Sequence, residues 1–166
     1  MFNARYLFDH QEYRDMASAK KIIRKARKGS PIRQVAAIPC RRTSGGELEV
    51  MLITSRSSKR IIIPKGWPMK GKSARKAAAT EARQEAGVSG RALKRPAGKF
   101  VYWKRLSESF VPIEVTVFLL EVEHVETSWR EEHCRRRAWM TPASAATLID
   151  EPDLASLVRS IEIPHD

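Results

Sequence analysis

The chain has only two cysteines, Cys40 and Cys134. That is too few for a disulfide framework or a cysteine-built zinc site, and it fits a reducing compartment. No run of about 18 apolar residues occurs, so no membrane-spanning helix is predicted. The first 15 residues carry Asp9, Glu12 and Asp15 and hold no apolar h-region. They read as neither a secretory signal nor a transit peptide, and a cytoplasmic location is expected. Acidic residues are scarce: 19 stand against 31 lysines and arginines, for a net charge of +12. Such a balance favours polyanionic partners such as phosphates, nucleic acid or acidic headgroups, without choosing among them.

What is present suffices for one domain with a real core: 166 residues, 42% of them apolar. Residues 1–30 form a basic N-terminal extension. The pattern from Gln11 to Lys28 is helix-compatible and ends in KKIIRKARKGSP, where Gly29-Ser30-Pro31 stops it. It reads either as a solvated amphipathic helix on the domain edge or as an arm for nucleic acid or phosphate. Residues 31–166 carry the globular pattern. QVAAIPCRR is a strand, Thr43-Ser44-Gly45-Gly46 a hairpin turn, and ELEVMLITSR a second strand with alternating Leu48, Val50 and Leu52. Arg60 to Ile63 is a short third strand that Pro64 ends. These three predict an antiparallel start to a sheet. Later strands are predicted at Lys99–Trp103, Ile113–Glu121 and Arg136–Met140, with a closing helix over Glu151–Ile161. Between them lies a helix over Ala74–Ala86, capped by Ser73 and stopped by Gly87. The fold class is α/β, a mixed sheet flanked by helices.

That helix carries the chemistry. Glu81 and Glu85 stand four apart and share a face, and like charges at this spacing disfavour an isolated helix. The positions three and four away from each hold no lysine or arginine. The charge must be balanced from outside the helix, by a metal ion, a remote basic residue or water. Two hard oxygen ligands suit Mg²⁺ or Mn²⁺, which keep several waters and share phosphate oxygens. Ala74, Ala78 and Ala82 line the opposite side and allow close packing on a sheet. The preceding loop, Pro64-Lys65-Gly66-Trp67-Pro68-Met69-Lys70-Gly71-Lys72, can bring backbone N–H groups and positive charge to a phosphate.

The stretch GWPMKGKSARKAAATEARQEAGV resembles the Nudix box, G-x5-E-x7-R-E-U-x-E-E-x-G-U, with U a bulky aliphatic residue. Gly66, Glu81, Glu85 and Gly87-Val88 match it, and the lead-in and ending are most similar to the diphosphoinositol polyphosphate phosphohydrolase branch and its bacterial relatives. The resemblance implies a Nudix-type α/β/α sandwich with a central mixed β-sheet over residues 31–166. It also implies a Mg²⁺- or Mn²⁺-dependent pyrophosphohydrolase, with Glu81 and Glu85 as metal ligands and Glu85 also catalytic. Lys72, Thr80 and Gln84 depart from the pattern's glutamate, arginine and glutamate, and a neutral amide oxygen is a poorer ligand for a hard cation. Fewer or more weakly held metals are expected.

Family members often recruit a further glutamate from a loop beyond the box. Here WREEHCRRRAW offers Glu131 and Glu132, and Glu132, nearer the middle of the loop, is the first choice as catalytic residue. Lys65, Gly66, Lys70 and Lys72, with Arg136 from the Arg135–Arg137 cluster, are the candidates for substrate phosphates. The expected substrate is a phosphate-rich small molecule: a diphosphoinositol polyphosphate, a dinucleoside polyphosphate or a nucleoside diphosphate derivative. One rival reading is removal of pyrophosphate from RNA 5′ ends, with the basic N-terminal segment on the strand. The other is a weakened scaffold that binds a ligand without turnover.

Overall fold

The computed structural model describes residues 20, 22–26, 28–29, 31–105 and 110–163. Of the N-terminal helix predicted over Gln11–Lys28, residues 22–26 are helical; its first nine residues, Gln11 to Ala19, lie outside the described residues. Contacts divide the chain into two units, Met1–Ile32 with Trp103–Ile113 and Arg33–Tyr102 with Glu114–Asp166. Every residue of the candidate site belongs to the second.

Among the described residues eight strands form one sheet: β1 (Arg33–Arg42), β2 (Leu48–Thr54), β3 (Ile61–Ile62), β4 (Lys65–Gly66), β5 (Val88–Ala92), β6 (Gly98–Arg105), β7 (Phe110–Val125) and β8 (Arg137–Met140). Their order is β3-β2-β1-β7-β5, with β4 also on β1, β6 on β7 and β8 on β2. β1 runs antiparallel to β2 and parallel to β7, so the sheet is mixed. The antiparallel start predicted from the first three strands is present. Beyond the N-terminal helical residues, the described residues hold α1 (Ala74–Ala86), α2 (Pro142–Leu148) and α3 (Pro152–Arg159) beside the sheet. None of the described helices is long and apolar enough to cross a membrane.

β1 explains the layering. Side chains alternate across a strand, and Val35 and Ala37 join Met51, Ile53, Phe118 and Leu120 in a cluster with Ala77, Ala78, Ala82 and Ala86 of α1. The intervening Ala36 and Ile38 are buried as well. A strand buried on both faces reads as a continuous apolar run, as this one does. The small side chains let α1 lie close to the sheet. Ala74 is not among them: it is exposed at the first turn, and Ala77 and Ala86 complete the packed side instead.

Three elements differ from expectation. β4 is two residues long and carries a lysine and a glycine, with no apolar pattern to announce it. β5 holds Ser89, Gly90 and Arg91, poor strand formers that pair with β7 around a register shift. α2 does have a local signature, Thr141 followed by Pro142. The Thr141 hydroxyl accepts from the Ser144 N–H, and proline sits at the first turn.

Candidate functional site

α1 is built from good helix formers, Ala, Arg, Lys, Gln and Glu. Ser73 occupies its N-cap position but makes no side-chain capping bond, so the expected cap is positional only. The C-terminal end is fixed far more firmly. Gly87 takes the left-handed conformation (φ 62°, ψ 40°) and its N–H donates to Arg83 O. The Trp129 indole N–H donates to Glu85 O at 3.1 Å, and Arg137 donates to Ala86 O and Gly87 O while its guanidinium lies 3.9 Å over the Trp129 ring. A cation at a helix C-terminus also meets the negative end of the helix dipole. Trp129 in the loop before β8 and Arg137 at the start of β8 thus clamp the turn that carries Glu85.

Glu85 is 7% exposed, and both carboxylate oxygens are engaged. Oε2 accepts from the Lys65 backbone N–H at 3.0 Å, and Oε1 accepts from Arg135 Nη2 at 2.5 Å. Arg135, itself 5% exposed, also donates through Nε to Glu131 Oε2 at 2.6 Å and through Nη1 to Thr54 O at 2.9 Å. Glu131 in turn pairs with Arg56 at 3.2 Å. For Glu85 the outside counter-charge is therefore a remote base. Burial nonetheless pushes the Glu85 carboxyl up to about 7, against the pull of Arg135 and of the Lys65 N–H, with Glu131 and Glu81 adding to the rise.

Glu81 has no such partner among the described residues. Its carboxylate lies against Gly66, where a Cβ would come within 2.2 Å of its Cδ and Oε1. Pairing of β4 with β1, Gly66 opposite Val35, holds that glycine in place. Burial raises the Glu81 carboxyl, and Glu131 raises it further, while Arg135, Arg130 and Arg56 oppose.

The remaining candidates are placed as follows. Glu132 turns away from Glu81 and Glu85. Its carboxylate accepts from Ser128 Oγ at 2.9 Å and from the Trp129 N–H at 3.3 Å, closing its own turn. Glu131 stands at the site instead, because residues 131–135 form a helical turn in which the Arg135 N–H donates to Glu131 O at 3.0 Å. That turn brings positions four apart together. The Glu131/Arg135 spacing was the sequence signal for it. Arg136 is exposed, with its backbone N–H on Thr54 Oγ1, whereas Arg135 and Arg137 turn inward on either side of it. Lys65 lends its backbone N–H to Glu85 and lays its Nζ 4.6 Å from the Tyr102 ring centre. Tyr102 donates to Gln34 Oε1 at 2.8 Å. Lys70 is exposed. Lys72 donates to Thr80 Oγ1 at 2.9 Å rather than to the acids, so two of the departures from the Nudix pattern touch each other.

No group of three or more His, Cys, Asp or Glu side chains among the described residues is arranged to hold a metal ion. Two carboxylates still fit a divalent cation that keeps its waters. Among the described residues neither Glu81 oxygen has a hydrogen-bond partner, the bare Gly66 leaves it room, and each oxygen of Glu85 retains a lone pair.

The fold and the acid pair define an α/β protein with a helix-borne carboxylate site. Residues 31–161 match the NUDIX domain, and the chain belongs to that family. It is 33% identical over 98 residues to Nudix hydrolase 18, mitochondrial, of Arabidopsis thaliana, covering 59% of this chain and 54% of that protein. With Nudix hydrolase 21, chloroplastic, of the same plant it shares 33% over 118 residues, covering 69% and 58%. The chain thus spans little more than half the length of these relatives. Among solved structures, the C. elegans Ap4A hydrolase superposes with a TM-score of 0.56 at 17% identity, covering 78% of this chain and 94% of that one. The MutT protein of Methanosarcina mazei Go1 gives 0.53 at 18% identity, covering 78% and 92%. At these identities the likeness is one of fold.

Proposed function

We propose that this protein hydrolyses a pyrophosphate bond in a phosphate-rich small molecule with the help of Mg²⁺ or Mn²⁺. The observation that carries this reading is the placement of Glu81 and Glu85 on one side of α1, with Glu81 against the side-chain-free Gly66. Glu81 and the remaining lone pairs of Glu85 would hold the ion. The ion would supply positive charge to the phosphate oxygens and make water a better nucleophile at phosphorus. The chain's own part is orientation and charge. Lys65 N–H and Arg135 fix the Glu85 carboxylate, and the clamp of Trp129 and Arg137 fixes the turn beneath it. Glu85 is also the proposed acceptor of the water's proton, and burial raises its proton affinity in the metal-free protein. Lys70 and Lys72, both exposed beside the site's loop, lend positive charge to the approach of a polyanion.

The test is phosphate release from diphosphoinositol polyphosphates, dinucleoside polyphosphates, nucleoside diphosphate derivatives and 5′-triphosphorylated RNA, with Mg²⁺ or Mn²⁺. Glu81→Gln and Glu85→Gln are each expected to lower turnover by about 100-fold or more. Variants as fast as the wild type would remove both residues from the site. A second reading, ligand binding without turnover, is favoured by Gln84 in place of an acid and by the Arg135 bond to Glu85. Saturable binding of one of these compounds with no phosphate released under either metal would establish it.

A further inference from the structure

We propose that Arg135 is a built-in counter-cation of this site, holding Glu85 when no divalent ion is bound and giving up part of that carboxylate when one binds. The inference rests on Glu81 and Glu85 being the metal ligands. Its own observations are separate. Four side chains alternate in charge from the helix outward: Glu85, Arg135, Glu131, Arg56. Each acid in that chain has a base in ion-pair contact, whereas Glu81 beside it has no ion-pair partner among the described residues and meets Arg130 only at longer range. A fixed positive charge in hydrogen-bond contact with Glu85 opposes the approach of a second cation. Losing it would strand a buried carboxylate, which is costly unless another cation arrives. Arg135 therefore lets the metal-free protein fold and at the same time weakens its hold on the metal. Gln84 and Lys72 shift the balance the same way, each putting a non-acid where the Nudix pattern has a glutamate.

The consequence is measurable without any substrate. Calorimetric titration with Mn²⁺ is expected to show about tenfold or tighter binding for Arg135→Gln than for the wild type. Arg135→Lys, which keeps the charge, is expected to stay within about threefold of the wild type. In thermal melts the metal-free Arg135→Gln protein should unfold earlier, and Mn²⁺ should raise its midpoint by more than it raises that of the wild type. A ¹⁵N spectrum of the unaltered protein gives a check that needs no variant: the Arg135 Nε–H signal, from a buried group bonded to Glu131, should shift on saturation with Mg²⁺. The proposal is overturned if the wild type binds Mn²⁺ and Arg135→Gln binds it no more tightly, or if Mg²⁺ binds and the Arg135 signal stays in place. If the wild type binds neither ion, the metal assignment itself fails and this proposal falls with it.

Discussion

Gly66 has no side chain, and the carboxylate of Glu81 occupies the space one would need. The obstructing atoms are the far end of a flexible side chain, so an alanine there should displace Glu81 without breaking the strand. Gly66→Ala is expected to melt within a few degrees of the wild type, yet to lose about 100-fold in turnover, since displacing a proposed metal ligand by about 1 Å can cost that much. Circular dichroism melts and phosphate release decide it, and full activity in the alanine variant would detach Gly66 from the site. Cys40 offers a second residue-scale test, remote from the acids. Its thiol is fully buried, donates to Leu120 O, and is pushed up to about 12 from 9.0 chiefly by burial, with Glu121 adding and Arg42 opposing. Below pH 9 both folded and unfolded chains keep this proton, so stability does not change on its account. Between pH 9 and 12 the unfolded chain releases it while the folded chain retains it, so stability falls as pH rises. Urea unfolding should show the wild type losing about 1 kcal/mol per pH unit more than Cys40→Val across that window. Parallel slopes would refute it.

At the scale of elements, the working unit is α1 with the loop that closes its C-terminus. Gly87 combines a left-handed backbone with contact: a Cβ there would lie 2.7 Å from Trp129 Cβ and Cγ and 2.8 Å from Arg137 Nη1. Gly87→Ala should therefore cost about 2 kcal/mol or more, through strain and displacement of the clamp together. Trp129→Phe keeps a ring under Arg137 but removes the bond to Glu85 O, for about 1 kcal/mol. Chemical denaturation that ranked the two the other way would show the clamp to be incidental. Much of this unit was legible in the sequence. The helix, its glycine stop and the acid pair follow from period, composition and spacing. The partners of the acids were not, because they lie 50 residues away for Arg135 and 20 for the Lys65 N–H, and one of them is a backbone group without side-chain identity. The choice between Glu131 and Glu132 turned on direction. Position within a loop does not give direction, but four-residue spacing to Arg135 does. β4 was hidden for a related reason: its importance lies in what Gly66 lacks, and two residues carry no period.

For the molecule as a whole, the charge of +12 and the acid pair make opposite demands on a divalent ion. The overall field repels cations and draws in phosphates. On the proposed reading a local surplus of carboxylate would hold the metal, and Glu81, which has no ion-pair partner among the described residues, would supply it. Substrate phosphates would then complete the metal's surroundings, so tight binding of metal alone is not required. It follows that the metal-free protein should be folded. After chelation it is expected to melt in one cooperative transition, because the buried Glu85 already has Arg135. Added Mn²⁺ should raise the midpoint by an amount set by its concentration relative to its dissociation constant, about 2.7 kcal/mol at a hundredfold excess over that constant. Glu81→Gln should keep the metal-free midpoint or raise it, since burial disfavours the ionised Glu81 and no partner among the described residues is lost, and should abolish most of the Mn²⁺ response. A protein that unfolds on chelation would show instead that the metal, and not Arg135, is the counter-charge on which the fold of α1 depends.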